Sequence, residues 1–177
     1  MIRSHNEVVA MAIKAARGAG IPFGHAEDFG PVVAYLAVTF PNDLDCLQSV
    51  LRTTYAPLVM TQNDDTVTIN NAQAVIAGPV ALDALRAGAA VVQLCDVDAP
   101  ALAKAYFNRA GAFHCVDDGK ALRITTVAKT ETEYVVQAID MPGAIWTMLS
   151  HFAAKTYVPA SDASRLMGAG AGLTDND

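Results

Sequence analysis

Two groups of polar residues, near opposite ends of the chain, could together bind an anion. Lys14 and Arg17 are three positions apart on the one polar stripe of an otherwise apolar segment, so on a helix their side chains would project together. Ser161, Ser164 and Arg165 offer hydroxyl and guanidinium groups, which suit anions. These five residues predict a site for a small anionic ligand, although a solvated basic face is the simpler explanation of the first pair.

The glycines after Arg165, in the stretch GAGAG, match a dinucleotide-binding loop in composition only. That loop requires a strand before it and a helix after it, so that the helix N-terminus meets the pyrophosphate. Here an irregular stretch precedes the glycines, and only five residues follow Gly172. We therefore expect their backbone amides to add to the anion site as a nest, and not to bind a dinucleotide.

His25 and Glu27 match half of a zinc deaminase motif, in which the glutamate moves protons at a metal-bound water. The other half, Pro-Cys-x-x-Cys, is absent from the sequence, so no metal site is predicted. The structural interpretation, two polar residues in the first turn of a helix, is preferred. The pair still supplies the candidate acid or base of an enzyme, and the sequence indicates no particular cofactor.

The composition argues against several classes of protein. The net charge is −6, from 12 basic and 18 acidic residues, and the basic residues are scattered, which argues against a nucleic-acid partner. No run approaches the roughly 20 apolar residues that span a bilayer. Glu7, Lys14 and Arg17 interrupt the apolar pattern that a signal peptide would need, so we expect a cytoplasmic protein without a membrane partner. Three widely spaced cysteines favour free thiols.

The N-terminal part, residues 1–54, is predicted to be helical. Ser4 and Glu7 have the spacing of a capping box, which opens a first helix. Gly18 and Gly20 are expected to end that helix in left-handed conformations.

Two further helices are expected before residue 54. The second begins near Phe23 and is kinked or divided at Gly30 and Pro31, since proline cannot donate a helical hydrogen bond. Asn42 or Asp43 then caps a short third helix that ends near residue 52.

Residues 66–157 are predicted to mix strands and helices. Strands rich in β-branched residues are expected at 66–69, 73–77, 90–94 and 122–127, with a weaker one at 134–139. Helices are expected at 79–87 and 100–109, each with an early proline. Asp117, Asp118 and Gly119 form a turn signal that could join two strands as a hairpin. Asp140 is expected to cap a long last helix, on which Ile145 begins an apolar stripe.

The fold class that follows is α+β: an N-terminal helical layer, a small mixed sheet with flanking helices, a long C-terminal helix and a docked tail. We expect residues 1–177 to form one domain, because no charged or proline-rich linker divides them. The glycine-rich tail, residues 158–177, carries apolar anchors at intervals and is expected to dock over the first helix.

At its two ends the sequence resembles an uncharacterised bacterial family that is known as a domain of unknown function. The resemblance is carried by SHNEVVAMAIKAARGAGIPFGHAEDFG at one end and AAKTYVPASDASRLMGAGAGLTDND at the other. It implies a stand-alone cytoplasmic protein of this size, and it supplies no activity and no catalytic residues. Pro31 departs from the uninterrupted second helix that the resemblance would imply.

Three hypotheses for the function follow from the sequence. The first is a protein that binds a small anionic metabolite, or an accessory or regulatory subunit of a metabolic enzyme. The second is an enzyme of unrecognised type that acts on a small anionic substrate, with His25 or Glu27 as acid or base. The third is a structural protein that buries excess apolar surface in a homo-oligomer; a homodimer is expected in any case, from the apolar fraction of 53%.

Overall fold

The computed structural model describes residues 1–128 and 138–157. These residues form an α+β fold, which confirms the predicted class. The helices are α1 (His5–Gly18), α2 (Phe23–Thr39), α3 (Cys46–Arg52), α4 (Ala74–Arg86), α5 (Pro100–Ala110) and α6 (Gly143–Ala154). The strands are β1 (Ile2–Ser4), β2 (Val59–Asn63), β3 (Thr66–Asn70), β4 (Val91–Cys95), β5 (Phe113–Asp117), β6 (Ala121–Thr126) and β7 (Ala138–Asp140).

The main sheet has five strands in the order β2, β3, β4, β6, β5. Strands β3 and β4 are parallel, with α4 as the connection between them, and the other neighbours are antiparallel. Alternate side chains of the central strands are buried, as expected when one face of a sheet carries the core. These side chains are Val67, Ile69, Val92, Leu94, Leu122 and Ile124.

A second, two-stranded sheet joins the start of the chain to the segment before the last helix. Strand β1 pairs antiparallel with β7, with Arg3 opposite Ile139. The helices that follow the two strands, α1 and α6, pack against each other, and α1 also packs against α2. This arrangement places α6 beside residues that are more than a hundred positions away in the sequence.

The capping box at the start of α1 is confirmed. The Ser4 Oγ atom accepts a hydrogen bond from the Glu7 amide at 3.2 Å, and the Glu7 carboxylate accepts one from the Ser4 amide at 2.8 Å. The bond from the Ser4 amide, followed by one that the Ser4 hydroxyl group donates to the same carboxylate, holds the pKa of Glu7 below its usual value, because both favour the charged form. At the other end of the helix, Gly20 has the expected positive φ of 86°, whereas Gly18 is the last helical residue.

The second helix is not divided at Gly30 and Pro31. It starts at Phe23, as predicted, so Glu27 lies beyond its first turn, and no acidic residue occupies that turn. The helix continues through Pro31 to Thr39. Burial explains this, since eight of its residues lie in the core and their packing outweighs the one hydrogen bond that proline cannot donate.

The predicted cap of the third helix is wrong. Asn42 and Asp43 belong to a short 3₁₀ turn that begins at Pro41, and α3 starts later, at Cys46, without a side-chain cap. Leu47, Val50 and Leu51 form the buried side of α3.

The strand predicted at residues 73–77 is also wrong, because these residues open helix α4. Val75 and Ile76 suggested a strand, but every residue from Ala74 to Pro79 is buried. A helix that is covered on all sides has no polar stripe by which its period can be recognised. Pro79 therefore lies inside α4 and not in its first turn.

The strands predicted at 66–69, 90–94 and 122–127 are found as β3, β4 and β6. The turn at Asp117 to Gly119 joins β5 and β6 as an antiparallel hairpin, and α5 begins at Pro100 as predicted. Strand β2 was not predicted, since all five of its residues are exposed and show no alternation.

The last described helix differs from the prediction at its start. Asp140 lies in β7 and does not cap a helix, and Pro142 precedes α6, which has twelve residues. Of the weak strand predicted at 134–139, residues 134–137 lie outside the described residues, as does the tail from residue 158. Within the described chain, no helix combines the length and apolar character needed to cross a bilayer.

Candidate functional site

A broad cleft of about 1040 Å³ lies where the C-terminal ends of α1 and α3 meet the side of α6. Its walls come from three segments of the chain. They are Gly18 to Gly20, then Gln48 with Leu51 to Tyr55, and one face of α6 from Ala144 to Lys155. Leu51, Met148 and Phe152 supply its apolar surface.

Three basic side chains line this cleft. They are Arg52, His151 and Lys155, and no described residue of the lining is an aspartate or glutamate. Lys155 Nζ lies 4.4 Å from the ring centroid of Phe152, and the His151 ring lies 5.8 Å from the same ring. Both side chains are thus held by contact with one buried aromatic ring. We call this cleft, with its three basic side chains, the basic cleft.

Part of the positive charge of Arg52 and Lys155 offsets the partial negative charge at the C-terminal ends of nearby helices. Helices α1, α3 and α6 all end at the cleft, and each C-terminus is equivalent to about −0.5 of an elementary charge. The three C-terminal ends amount to roughly −1.5, and the N-terminal end of α6, where Ala144 also lines the cleft, returns about +0.5, whereas Arg52 and Lys155 alone carry two full positive charges. The cleft therefore remains positive before any contribution from His151.

The polar groups of the cleft wall are fixed by hydrogen bonds to the backbone. Tyr55 donates its hydroxyl hydrogen to the Val50 carbonyl oxygen at 2.7 Å, and Thr53 donates to the Ser49 carbonyl oxygen at 2.8 Å. Burial, and then the negative charge of Asp98, raise the pKa of Tyr55. These hydroxyl groups stay neutral and can still accept a hydrogen bond from a ligand.

A side-chain amide outside the cleft holds the same wall in place. Gln73 Nε2 donates to the Thr54 carbonyl oxygen at 2.9 Å, and Gln73 Oε1 accepts from the Ala56 amide at 3.1 Å. One glutamine thus clamps both sides of Tyr55, so the wall is formed before any ligand arrives.

Gly18 determines how closely α1 and α6 approach at the bottom of the cleft. A Cβ atom at this position would overlap the Phe152 carbonyl oxygen, which is a backbone atom that cannot move aside. Only glycine allows the two helices to pack as they do. This is the reason for the glycine, and the left-handed cap predicted from the sequence is found at Gly20 instead.

The predicted cations Lys14 and Arg17 are exposed on α1 and do not line the basic cleft. Arg17 pairs with Glu27 at 3.1 Å, and its guanidinium carbon lies 4.0 Å from the ring centroid of Phe23. Gly18, the next residue along the chain, does line the cleft. Lys14 and Arg17 are thus absent from the cleft lining, whereas Ser161, Ser164 and Arg165 lie outside the described residues.

The candidate acid and base do not form a catalytic pair. Glu27 is half exposed and bound to Arg17. His25 is two positions earlier on the same helix, so the two side chains do not face each other. Its Nδ1 atom is buried and has no hydrogen-bond partner among the described residues. Neither residue lines the basic cleft.

The cysteines are free thiols, as predicted, and all three are half-buried. Burial, followed by the charge of Asp43, raises the pKa of Cys46 to about 11, and burial also raises the pKa of Cys115. Both sulfurs are thus poor nucleophiles at neutral pH. In residues 1–128 and 138–157, no cluster of histidine, cysteine, aspartate or glutamate could hold a metal ion.

Comparison with known proteins identifies a family. A model for a family of proteins of unknown function, DUF3726, matches residues 3–104, which is more than half of the chain. The chain belongs to this family. The matched range extends from β1 into α5, so it contains the Arg52 side of the basic cleft but not α6. No curated protein and no solved structure matches the chain.

Sequence reasoning missed the residues that form the cleft. Arg52, His151 and Lys155 each lie in or directly after the last turn of a helix. Their common position at helix ends was visible in the sequence, but nothing in the sequence showed that these ends meet.

Proposed function

We propose that the protein binds a small anionic metabolite in the basic cleft, as a cytoplasmic binding protein or as an accessory or regulatory subunit of a metabolic enzyme. The observation that carries the proposal is the lining, which contains three basic side chains and no described acidic one. Basic groups that are already held in place lose little conformational freedom on binding an anion.

The remaining surface of the cleft indicates the shape of the ligand. Leu51, Met148 and Phe152 offer an apolar floor, and a volume of about 1040 Å³ is at the upper end for small-molecule pockets. The ligand that fits best has an anionic group for Arg52 and Lys155 and an apolar body for the floor. A bare inorganic ion would leave most of the cleft unused.

The proposal retains the residues predicted from the sequence. Lys14 and Arg17 would attract an anion at the edge of the cleft, and Ser161, Ser164 and Arg165 would contribute from the chain beyond Tyr157. The alternative, an enzyme that uses His25 or Glu27, has less support, because neither residue lines the basic cleft.

A thermal-shift experiment on the full chain tests this function. The probe is phenyl phosphate, which has an apolar ring and an anionic head, and its neutral counterpart is benzyl alcohol. At 100 times its dissociation constant, a ligand adds about 2.7 kcal/mol to the free energy of unfolding. We expect a shift with phenyl phosphate only, and a reduced shift in Arg52→Gln and Lys155→Gln.

The matched control is Arg123→Gln, which removes the same charge from the main sheet, away from the cleft. The proposal fails if phenyl phosphate gives no shift, or if the control variant loses as much of the shift as the two cleft variants.

The homodimer also stays a proposal. Light scattering should give twice the monomer mass of 18.6 kDa, and the monomer mass at every concentration would contradict it.

A further inference from the structure

A second, narrower cavity lies between α2, α4 and α5. This crevice has a volume of about 270 Å³, and it shares no lining residue with the basic cleft. Its charged lining residues are Asp28 on α2, Asp83 and Arg86 on α4, and Arg109 on α5. Tyr106, one turn before Arg109 on α5, also lines it.

The Tyr106 hydroxyl group is buried without a partner. The residue is only 3% exposed, and its oxygen has no hydrogen bond within the described part of the chain. Buried hydroxyl groups are nearly always paired, so one without a partner indicates a missing partner. A bound ligand would supply it.

The ring of Tyr106 is held in a fixed position by a glycine. A Cβ atom at Gly78 would lie 2.5 Å from Cδ2 of the ring, so the ring rests directly on the backbone of α4. Burial, and then the negative charge of Asp28, raise the pKa of Tyr106. Asp28 and Tyr106 both line the crevice.

The charges around the crevice leave one acid and one base available. Asp83 and Arg86 pair with each other at 3.4 Å. Asp28 and Arg109 have no ion-pair partner among the residues that the structure describes. The crevice thus offers one unpaired charge of each sign, together with a hydroxyl group that needs a partner.

We propose that this crevice is a binding site for a small zwitterion with one ammonium and one carboxylate group, of the class of free α-amino acids. Asp28 binds the ammonium group, Arg109 binds the carboxylate, and the Tyr106 hydroxyl group completes the hydrogen bonds to the ligand. A volume of about 270 Å³ admits a compact molecule and excludes a large one. This site does not depend on the function proposed for the basic cleft.

Isothermal titration of the full chain with the common amino acids, one at a time at millimolar concentration, tests this inference. At least one should bind with one-to-one stoichiometry. Its analogues that lack the ammonium or the carboxylate group should bind at least about tenfold more weakly. Tyr106→Phe, Asp28→Asn and Arg109→Gln should each lower the affinity by about tenfold or more. Tyr157→Phe removes a hydroxyl group from an exposed residue and should leave the affinity unchanged.

The free Tyr106→Phe protein provides a second measurement. If the hydroxyl group has no partner in the free protein, this variant should melt at the same temperature or higher. A clearly lower melting temperature would show that the hydroxyl group is already bonded inside the protein and would overturn the inference. So would the failure of every amino acid to bind, or equal binding of a simple carboxylate.

Discussion

The basic cleft and the Tyr106 crevice differ in how their polar groups are satisfied. In the cleft wall, the hydroxyl groups of Thr53 and Tyr55 already donate to backbone carbonyl oxygens. In the crevice, the Tyr106 hydroxyl group is buried and has no described partner. The cleft also carries one sign of charge on its lining, whereas the crevice carries both.

This difference predicts two kinds of binding. An anion in the exposed cleft gains mainly Coulomb energy from Arg52 and Lys155, so salt should weaken its binding. A ligand in the crevice gains from a hydrogen bond to a buried hydroxyl group, and salt screens buried interactions much less. The cleft is stable when empty, whereas the empty crevice leaves a polar group unsatisfied.

The largest effect is expected from Gly18→Ala, which changes the helix contact below the cleft. The new methyl group would overlap the Phe152 carbonyl oxygen, so α1 and α6 must separate. We expect a loss of about 3 kcal/mol in the free energy of unfolding, the upper end for an overpacked core, measured by urea denaturation. Gly24→Ala is the matched control, because no atom lies within 4 Å of its Cβ position.

Gly78→Ala makes the corresponding change below the crevice and should be less harmful. Its methyl group would meet the Tyr106 ring at 2.5 Å, which is a smaller overlap than the one with the Phe152 carbonyl oxygen at Gly18. If Gly78→Ala destabilises the protein more than Gly18→Ala, the two contacts have been ranked incorrectly.

An intermediate effect is expected at Asp98, which links the two regions. Its Oδ1 atom accepts from the Ala74 amide at 2.8 Å at the start of α4, and its charge raises the pKa of Tyr55 in the cleft wall. Asp98→Ala should lower the free energy of unfolding by about 1 kcal/mol, as for a lost helix cap. Asp98→Asn keeps the oxygen acceptor and should lose less.

The raised pKa of Asp98 predicts how the stability of the protein changes with pH. Partial burial raises its pKa in the folded protein, so the folded state holds this proton more tightly than the unfolded state. Stability from this group is therefore lost as pH rises from the unfolded pKa through the folded one. In urea denaturation from pH 3 to 7, the native protein should lose stability relative to Asp98→Asn as the pH rises; the same pH dependence in both proteins would contradict this.

The smallest effect on stability is expected from the cleft charges. Neither Arg52 nor Lys155 forms an ion pair with a described residue. The double variant Arg52→Gln, Lys155→Gln should therefore unfold within about 0.5 kcal/mol of the native protein. A larger loss in urea denaturation would mean that these charges stabilise the fold, and the cleft would then need no ligand to explain them.

The sequence predicted the features that depend on neighbouring residues. Ser4 and Glu7 form their capping box, and Asp117 to Gly119 turn the β5–β6 hairpin, because the groups involved are only a few positions apart. Residues 73–77 were misassigned because their conformation depends on burial by distant elements. The same limit applied to the basic cleft, since nothing local brings Gly18, Arg52 and Lys155 together.

The central claim, that the basic cleft binds an anion, is tested most directly by amide NMR spectra of the full chain during titration with phenyl phosphate. We predict saturable shifts at Arg52 to Tyr55 and at Thr147 to Lys155, weakened by added salt and lost in the Arg52→Gln, Lys155→Gln double variant. Benzyl alcohol should not reproduce them. The claim is contradicted if these amides do not shift, or if the double variant shows the same saturable shifts as the native protein.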